Sequence, residues 1–173
     1  MSLDRYGETY QPYLLSLFRF ITGLLLFQYG VAKIFKIPVV AYFANPPPLI
    51  MTAGAIELVL GGLLMIGLLT RLSAFILSGE MAFAYFLGHL FKTGAPVLHP
   101  LNNGGTAAIL FCFACLYLAA AGGGPISVDA VIGARERRGL RGWASAVRLS
   151  KSSAHDPEKC AAVFRKDHAQ TRI

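Results

Sequence analysis

Charge is scarce in this chain, and acidic charge most of all. Of its 173 residues only 14% are Asp, Glu, Lys or Arg, and 9 are acidic; soluble domains carry roughly 25% charged residues. Hydrophobic residues reach 55%, and the mean hydropathy is +0.55 despite a polar stretch after Gly133. A soluble all-helical globule of this size has no interior able to hide so much apolar surface, so that class is set aside. Cysteine is also sparse. The three present are Cys112, Cys115 and Cys160; none falls in the loops expected outside the cell, which argues against an extracytoplasmic disulfide framework. The apolar run after Arg19 leads to Lys33 and Lys36 without a small-residue cleavage site, so it reads as a retained signal anchor. There is no nucleotide-binding loop, no internal repeat and no bis-histidine haem pattern in the spans.

What the chain does have is long apolar runs. The expected fold class is an all-α membrane protein: a four-transmembrane-helix antiparallel bundle over residues 1–133, with a basic cytoplasmic tail over 134–173. The expected spans are about 13–35, 49–69, 72–91 and 104–121. The second would be roughly 31 Å long, matching a hydrocarbon core of roughly 30 Å. Asn45-Pro46-Pro47-Pro48 cannot continue a helix, so 37–48 reads as a loop. Thr70-Arg71 reads as a tight turn, and Lys92–Asn103 as a second long loop. The fourth span ends at Gly122-Gly123-Gly124-Pro125.

The net charge of +7 is unevenly placed: ten of the sixteen Lys and Arg lie between Arg135 and Arg172. That asymmetry belongs to membrane topology rather than to nucleic-acid binding, and the expected partner is the bilayer. With the tail inside, thirteen basic residues face inward, and Lys33, Lys36 and Lys92 alone face outward. The expected localisation is therefore a bacterial inner membrane with both termini cytoplasmic. Arg135–Arg148 mixes arginines with Leu140, Trp143 and Val147, as in a helix lying on anionic headgroups. No apolar periodicity follows Ser150, and disorder is the expectation there.

Ionisable residues at bilayer depth cost about 2.5–3.5 kcal/mol on insertion scales, so they face the interior and need partners. Arg19, Gly23, Leu26, Gly30 and Lys33 share one helical stripe, on which the glycines admit a neighbouring helix. Glu57 and Glu80 each lie about 12 Å deep, from opposite sides. Depth matches Arg19 with Glu80 and leaves Glu57 to face Lys33 or His89. Such pairs either fix helix register or form a ligand or proton site. No metal site is expected, because His89 and His99 lack the short spacing of a ligand motif. Cys112 and Cys115 form a C-x-x-C well inside an apolar helix, away from the helix N-terminus that activates redox thiols. With Gly105, Ala108, Ala119 and Gly122 they read as a packing seam, redox use being the alternative.

Several motifs in register carry a resemblance. Arg19-x-x-x-Gly23, Gly30-x-x-Lys33, Ile56-Glu57-Leu58-x-x-Gly61-Gly62 and Gly67-x-x-Thr70-Arg71 are followed by Gly79-Glu80-Met81-Ala82-x-Ala84-Tyr85-Phe86 with His89. The Asn102–Gly105 stretch, including Asn103, and Gly122–Asp129 continue the order. Over roughly residues 13–132 the chain resembles the DoxX family of bacterial membrane proteins. The resemblance implies a four-helix inner-membrane bundle and a link to membrane redox systems near the quinone pool, with a redox-enzyme partner and quinone as the associated small molecule. Its motifs mark Arg19, Lys33, Glu57, Arg71, Glu80, His89 and Asn103 as the candidate intramembrane polar site. The family pattern places an acidic residue after the Asn-Gly-Gly turn, where this chain has Thr106, so a mechanism requiring that carboxylate does not transfer. The alternatives to a redox-associated subunit are a small-solute or proton transporter using Glu57 and Glu80, and a non-catalytic scaffold. Four short spans offer only a narrow pathway unless the protein forms a homo-oligomer.

Overall fold

The computed structural model describes residues 3–39, 46–92, 96–136, 138 and 140, with side chains from Gly7 onward. Every regular element among them is helical. Helix α1 spans Leu3–Phe35, α2 Pro48–Ile66, and α3 Thr70–Phe83. The wider π-helical turns Ala84–Leu90 continue α3 without a break. A single turn, α4, covers Pro100–Asn103, and α5 covers Thr106–Ala121. Internal contacts divide the chain into two units, 1–131 and 132–173. In the second unit the described residues 132–136, 138 and 140 are helical. The expectations of a surface helix extending to Arg148 and of disorder beyond Ser150 otherwise lie outside the described residues, as do positions 40–45 and 93–95 of the two long loops.

Local chemistry explains the helix ends. Pro48 opens α2 at the first helical position, where its missing N–H costs nothing and its fixed φ suits the helix. Gly67 closes α2 with φ 75°, and its N–H bonds back to the carbonyls of Leu63 and Leu64, the left-handed cap that glycine adopts without strain. Two expected boundaries move. Thr70 and Arg71 are not the turn but the first residues of α3; the turn is Gly67–Leu69. Helix α1 starts at Leu3 rather than near Tyr13, because polar residues mark where the solvent changes and not where a helix must end.

Helices α1 and α2 pack antiparallel through glycine. A methyl group placed on Gly23 would lie 2.8 Å from Cα of Met65, and one on Gly61 would lie 2.7 Å from the backbone nitrogen of Phe27. Gly30 meets the backbone of Leu58 and Gly54 in the same way. Two glycines seven residues apart on each helix thus let the backbones touch, the small-residue packing that serves where lipid supplies no hydrophobic drive between helices. Helices α3 and α5 are also antiparallel: the Ser78 hydroxyl donates to the Cys112 carbonyl at 2.9 Å, and Tyr85 packs on Gly105. Leu26, Leu64, Ala74, Leu77, Met81, Cys115 and Leu118 form the shared core.

Polarity is inverted relative to a protein folded in water. Arg19 and Glu57 are 3% and 1% exposed, and Ser16, Thr22, Thr70, Ser73 and Ser78 are buried, whereas Phe75 and Phe113 are each 65% exposed. Two helices, 7–35 and Pro48–Ile66, are long and apolar enough to cross a membrane, and Thr106–Ala121 is a shorter apolar helix. Apolar side chains outward and charges inward is the arrangement that lipid as solvent demands.

Candidate functional site

The interior polar residues form three groups. The central one joins α1, α2 and α3. Lys33 Nζ donates to both oxygens of Glu57, at 2.7 and 2.6 Å, and the Glu57 side chain is 2% exposed. Of the two partners expected for Glu57, Lys33 is the one it has. Gly54 makes room for the lysine stem, since a methyl there would lie 2.7 Å from Lys33 Cβ. The Lys33 ammonium also sits 6.0 Å from the centroid of the Tyr29 ring, which packs edge-on against Phe111 of α5. Glu80 approaches from α3, close enough to Glu57 and Lys33 to feel both charges. Both of its carboxylate oxygens are buried, and neither receives a hydrogen bond from a described residue. Cys115 of α5, in turn, lies within electrostatic reach of Glu80 and Cys112.

Arg19 is not in this group, and its expected pairing with Glu80 is corrected. Its Nη1 donates to the carbonyls of Leu64 and Met65, each at 2.6 Å; Nη2 donates to Ile126 O at 2.6 Å and Nε to Gly123 O at 2.9 Å. The first two acceptors are carbonyls of the last turn of α2, where the helix dipole favours a cation. Counting side-chain acceptors alone overlooked them. Asp129 is the acidic counterpart of Arg19. Its carboxylate accepts the N–H groups of Leu69 at 2.9 Å and Thr70 at 2.8 Å. It thereby caps the N-terminus of α3, and it supports Leu69, a non-glycine residue at φ 51°. The two charged caps thus bracket the α2–α3 turn in sequence, Arg19 at the end of α2 and Asp129 at the start of α3. Arg71 is exposed beside Gly122.

Burial tends to raise the Asp129 carboxyl, but hydrogen bonds from Thr70 and Leu69 and the nearby Arg19 charge hold it below the ordinary 3.8. A lowered carboxylate stabilises the fold above its unfolded value and loses that contribution as pH falls through the folded one. Asp129→Ala is therefore expected to cost about 1 kcal/mol near neutrality, as for other lost N-caps. The gap in thermal midpoint between wild type and variant should close only below the ordinary aspartate range; a gap unchanged at acid pH would refute the capping role.

The third group lies at the other end of α3, on its π-helical turns. His89 Nδ1 is 3.0 Å from the Asn103 carbonyl, so histidine is not the partner of Glu57. Asn103 Oδ1 accepts the Gly105 N–H at 2.7 Å, and its amide donates to Val97 O at 2.8 Å. Asn103 thus shapes the Asn-Gly-Gly turn into α5, and Thr106 is exposed at the start of that helix. Cys115 is fully buried and Cys112 partly so, both as free thiols. No cluster of three or more metal-ligating side chains occurs among the described residues.

This arrangement falls in a stretch with known relatives. The DoxX family profile matches residues 14–90. An uncharacterized protein of Haemophilus influenzae is 38% identical over 125 residues, covering 70% of this chain and 92% of that protein. The chain belongs to the DoxX family. No solved structure matches it. The stretch matched to DoxX contains Arg19, Lys33, Glu57, Arg71, Glu80 and His89, and ends before Asn103 and the cysteine pair. In this DoxX protein Asp129 closes the Gly122–Asp129 motif but was not among the residues marked for the polar site. Ser127 caps its own segment through the Ala130 N–H, whereas Asp129 serves a distant helix, which no local spacing signals.

Proposed function

We propose that this DoxX protein is a four-span antiparallel bundle of the bacterial inner membrane, both termini cytoplasmic, that binds a small hydrogen-bond-donating ligand at Glu80. The observation that carries the reading is the Glu80 carboxylate, buried in the helix interior with no hydrogen-bond donor among the described residues. Lys33 is engaged by Glu57. Two carboxylates share one ammonium, so with both ionised the centre would hold one negative charge more than Lys33 offsets. An unpaired charge at bilayer depth costs several kcal/mol, and a donor placed on Glu80 recovers part of it. The reading of four spans adds Thr70–Leu90 and Thr106–Ala121 to the two long apolar helices, and is supported by the exposed apolar side chains on each. The inward orientation rests on the excess of Lys and Arg at the two termini, with Arg71 at the start of α3.

In a redox-associated role the ligand is a quinol, whose hydroxyl is such a donor on an apolar ring; in a transport role it is a small polar solute. Purification from native membranes, followed by mass spectrometry of the retained small molecules, separates the two. Wild type should carry a molecule that Glu80→Gln loses at least tenfold, while both proteins insert equally. Identical contents in the two preparations would refute a ligand site at Glu80.

A further inference from the structure

We propose that the Lys33–Glu57–Glu80 centre holds one exchangeable proton between its two carboxylates, with Lys33 as a counter-ion that either carboxylate takes in turn. The inference rests on the preceding reading only in placing the centre within lipid; it does not require the ligand. The geometry shows one of two related arrangements. Lys33 is bidentate on Glu57, and Glu80, with no hydrogen-bond donor among the described residues, lies within electrostatic range of both. One proton makes the centre neutral: Lys33 ammonium, Glu57 carboxylate, Glu80 carboxylic acid. In the second arrangement the proton leaves a Glu80 oxygen and bonds to a Glu57 oxygen, while the lysine hydrogen bonds pass from Glu57 to Glu80. One O–H bond breaks and one forms, and the total charge does not change. Neutrality in both arrangements is what a low-dielectric interior favours, since an excess charge there is costly in either position.

The surrounding elements fit this exchange. Helix α1 presents Lys33 with the Tyr29 ring beside it, α2 presents Glu57, and α5 presents Cys115 within electrostatic reach of Glu80. Lys33 is the cation whose charge acts on both Glu57 and Glu80, so both carboxylates draw on it. Gly54 matters as well. The stem of Lys33 packs over a residue without a side chain, and this close passage is what brings its ammonium to the carboxylates.

Infrared spectroscopy of the full-length protein in lipid nanodiscs tests this through the carbonyl stretch of a protonated carboxyl group. Wild type should show one such band that responds to deuterium oxide. Glu80→Asp should keep the band but shift it, which assigns it to this residue. Glu57→Gln should abolish it, because Lys33 then turns to Glu80 and ionises it. A fixed structural pair predicts instead that Glu57→Gln leaves the Glu80 band in place. The proposal is overturned if wild type lacks the band, if Glu80→Asp leaves it unmoved, or if it persists in Glu57→Gln. Loss of the ligand difference with the band intact would refute only the ligand site.

Discussion

Replacing Arg19 by methionine is expected to remove most folded protein from the membrane extract, a larger effect than any other single substitution in the bundle. Methionine keeps much of the length and apolar bulk of the arginine stem, so the loss isolates the guanidinium. That group donates to four carbonyls on two segments, Leu64 and Met65 at the end of α2 and Gly123 and Ile126 beyond α5. Without it, buried carbonyls keep their desolvation cost and lose their donors, and the dipole at the end of α2 loses its cation. The expected cost is on the order of 3–5 kcal/mol, the range for truncating one partner in a buried charged network. Arg19→Lys should recover only part of the stability, since a single ammonium cannot span acceptors that the planar guanidinium reaches through three nitrogens. The measurement is the fraction of protein that stays monodisperse in size-exclusion chromatography after stepwise heating in mild detergent. Equal survival of wild type and Arg19→Met would show that the clamp contributes nothing.

The second large effect is expected from one methyl group. In Gly30→Ala the new carbon would lie 2.7 Å from Leu58 Cα and 2.9 Å from the Gly54 carbonyl oxygen. These are backbone atoms and cannot rotate away, so α1 and α2 must separate. Overpacking of this kind costs about 1–3 kcal/mol. Its consequence reaches the central site, because Lys33 is less than one turn from Gly30 and reaches Glu57 across the same helix contact. Gly79→Ala is the matched control: it is helical, but a methyl there meets nothing within 4 Å. Alanine should stabilise that position by up to about 1 kcal/mol through helix propensity. Gly30→Ala should therefore lower the thermal midpoint while Gly79→Ala leaves it level or raises it. If both variants shift it alike, close packing of α1 on α2 is not what holds the pair together.

Much of this was legible in the residue pattern. The spacing of Arg19, Gly23, Gly30 and Lys33 placed two cations and two glycines on one stripe, and that stripe is the face of α1 that meets α2. The depth of Glu57 brought Lys33 forward as a partner because a charge in lipid must find a countercharge within a few ångströms. The small-residue face of α5, with Cys112 and Cys115, lies against α3 as its residue sizes suggested. The family motifs ordered the same residues along the chain.

Where the pattern misled, it was over backbone acceptors. Depth alone assigned Arg19 to Glu80, since both are charged and enter from the same side. But every helix ends in open carbonyls, whatever its side chains, and no residue code marks which of them a cation will reach. The same holds for Asp129, whose carboxylate serves the start of α3 some sixty residues back in the chain. That assignment requires the glycine-rich turn to fold across the α2–α3 connection.

By itself, then, the sequence determined that the chain is helical, that lipid is the solvent for its outer faces, and which few charged residues must be accommodated inside. Those properties follow from side-chain transfer energies and helical periodicity, which are local. Only the tertiary structure decided who partners whom: Arg19 with four carbonyls, Lys33 with Glu57, and Glu80 with no described donor. That outcome depends on where helix ends and backbones come together in space, and it is there that the buried carboxylate was left over.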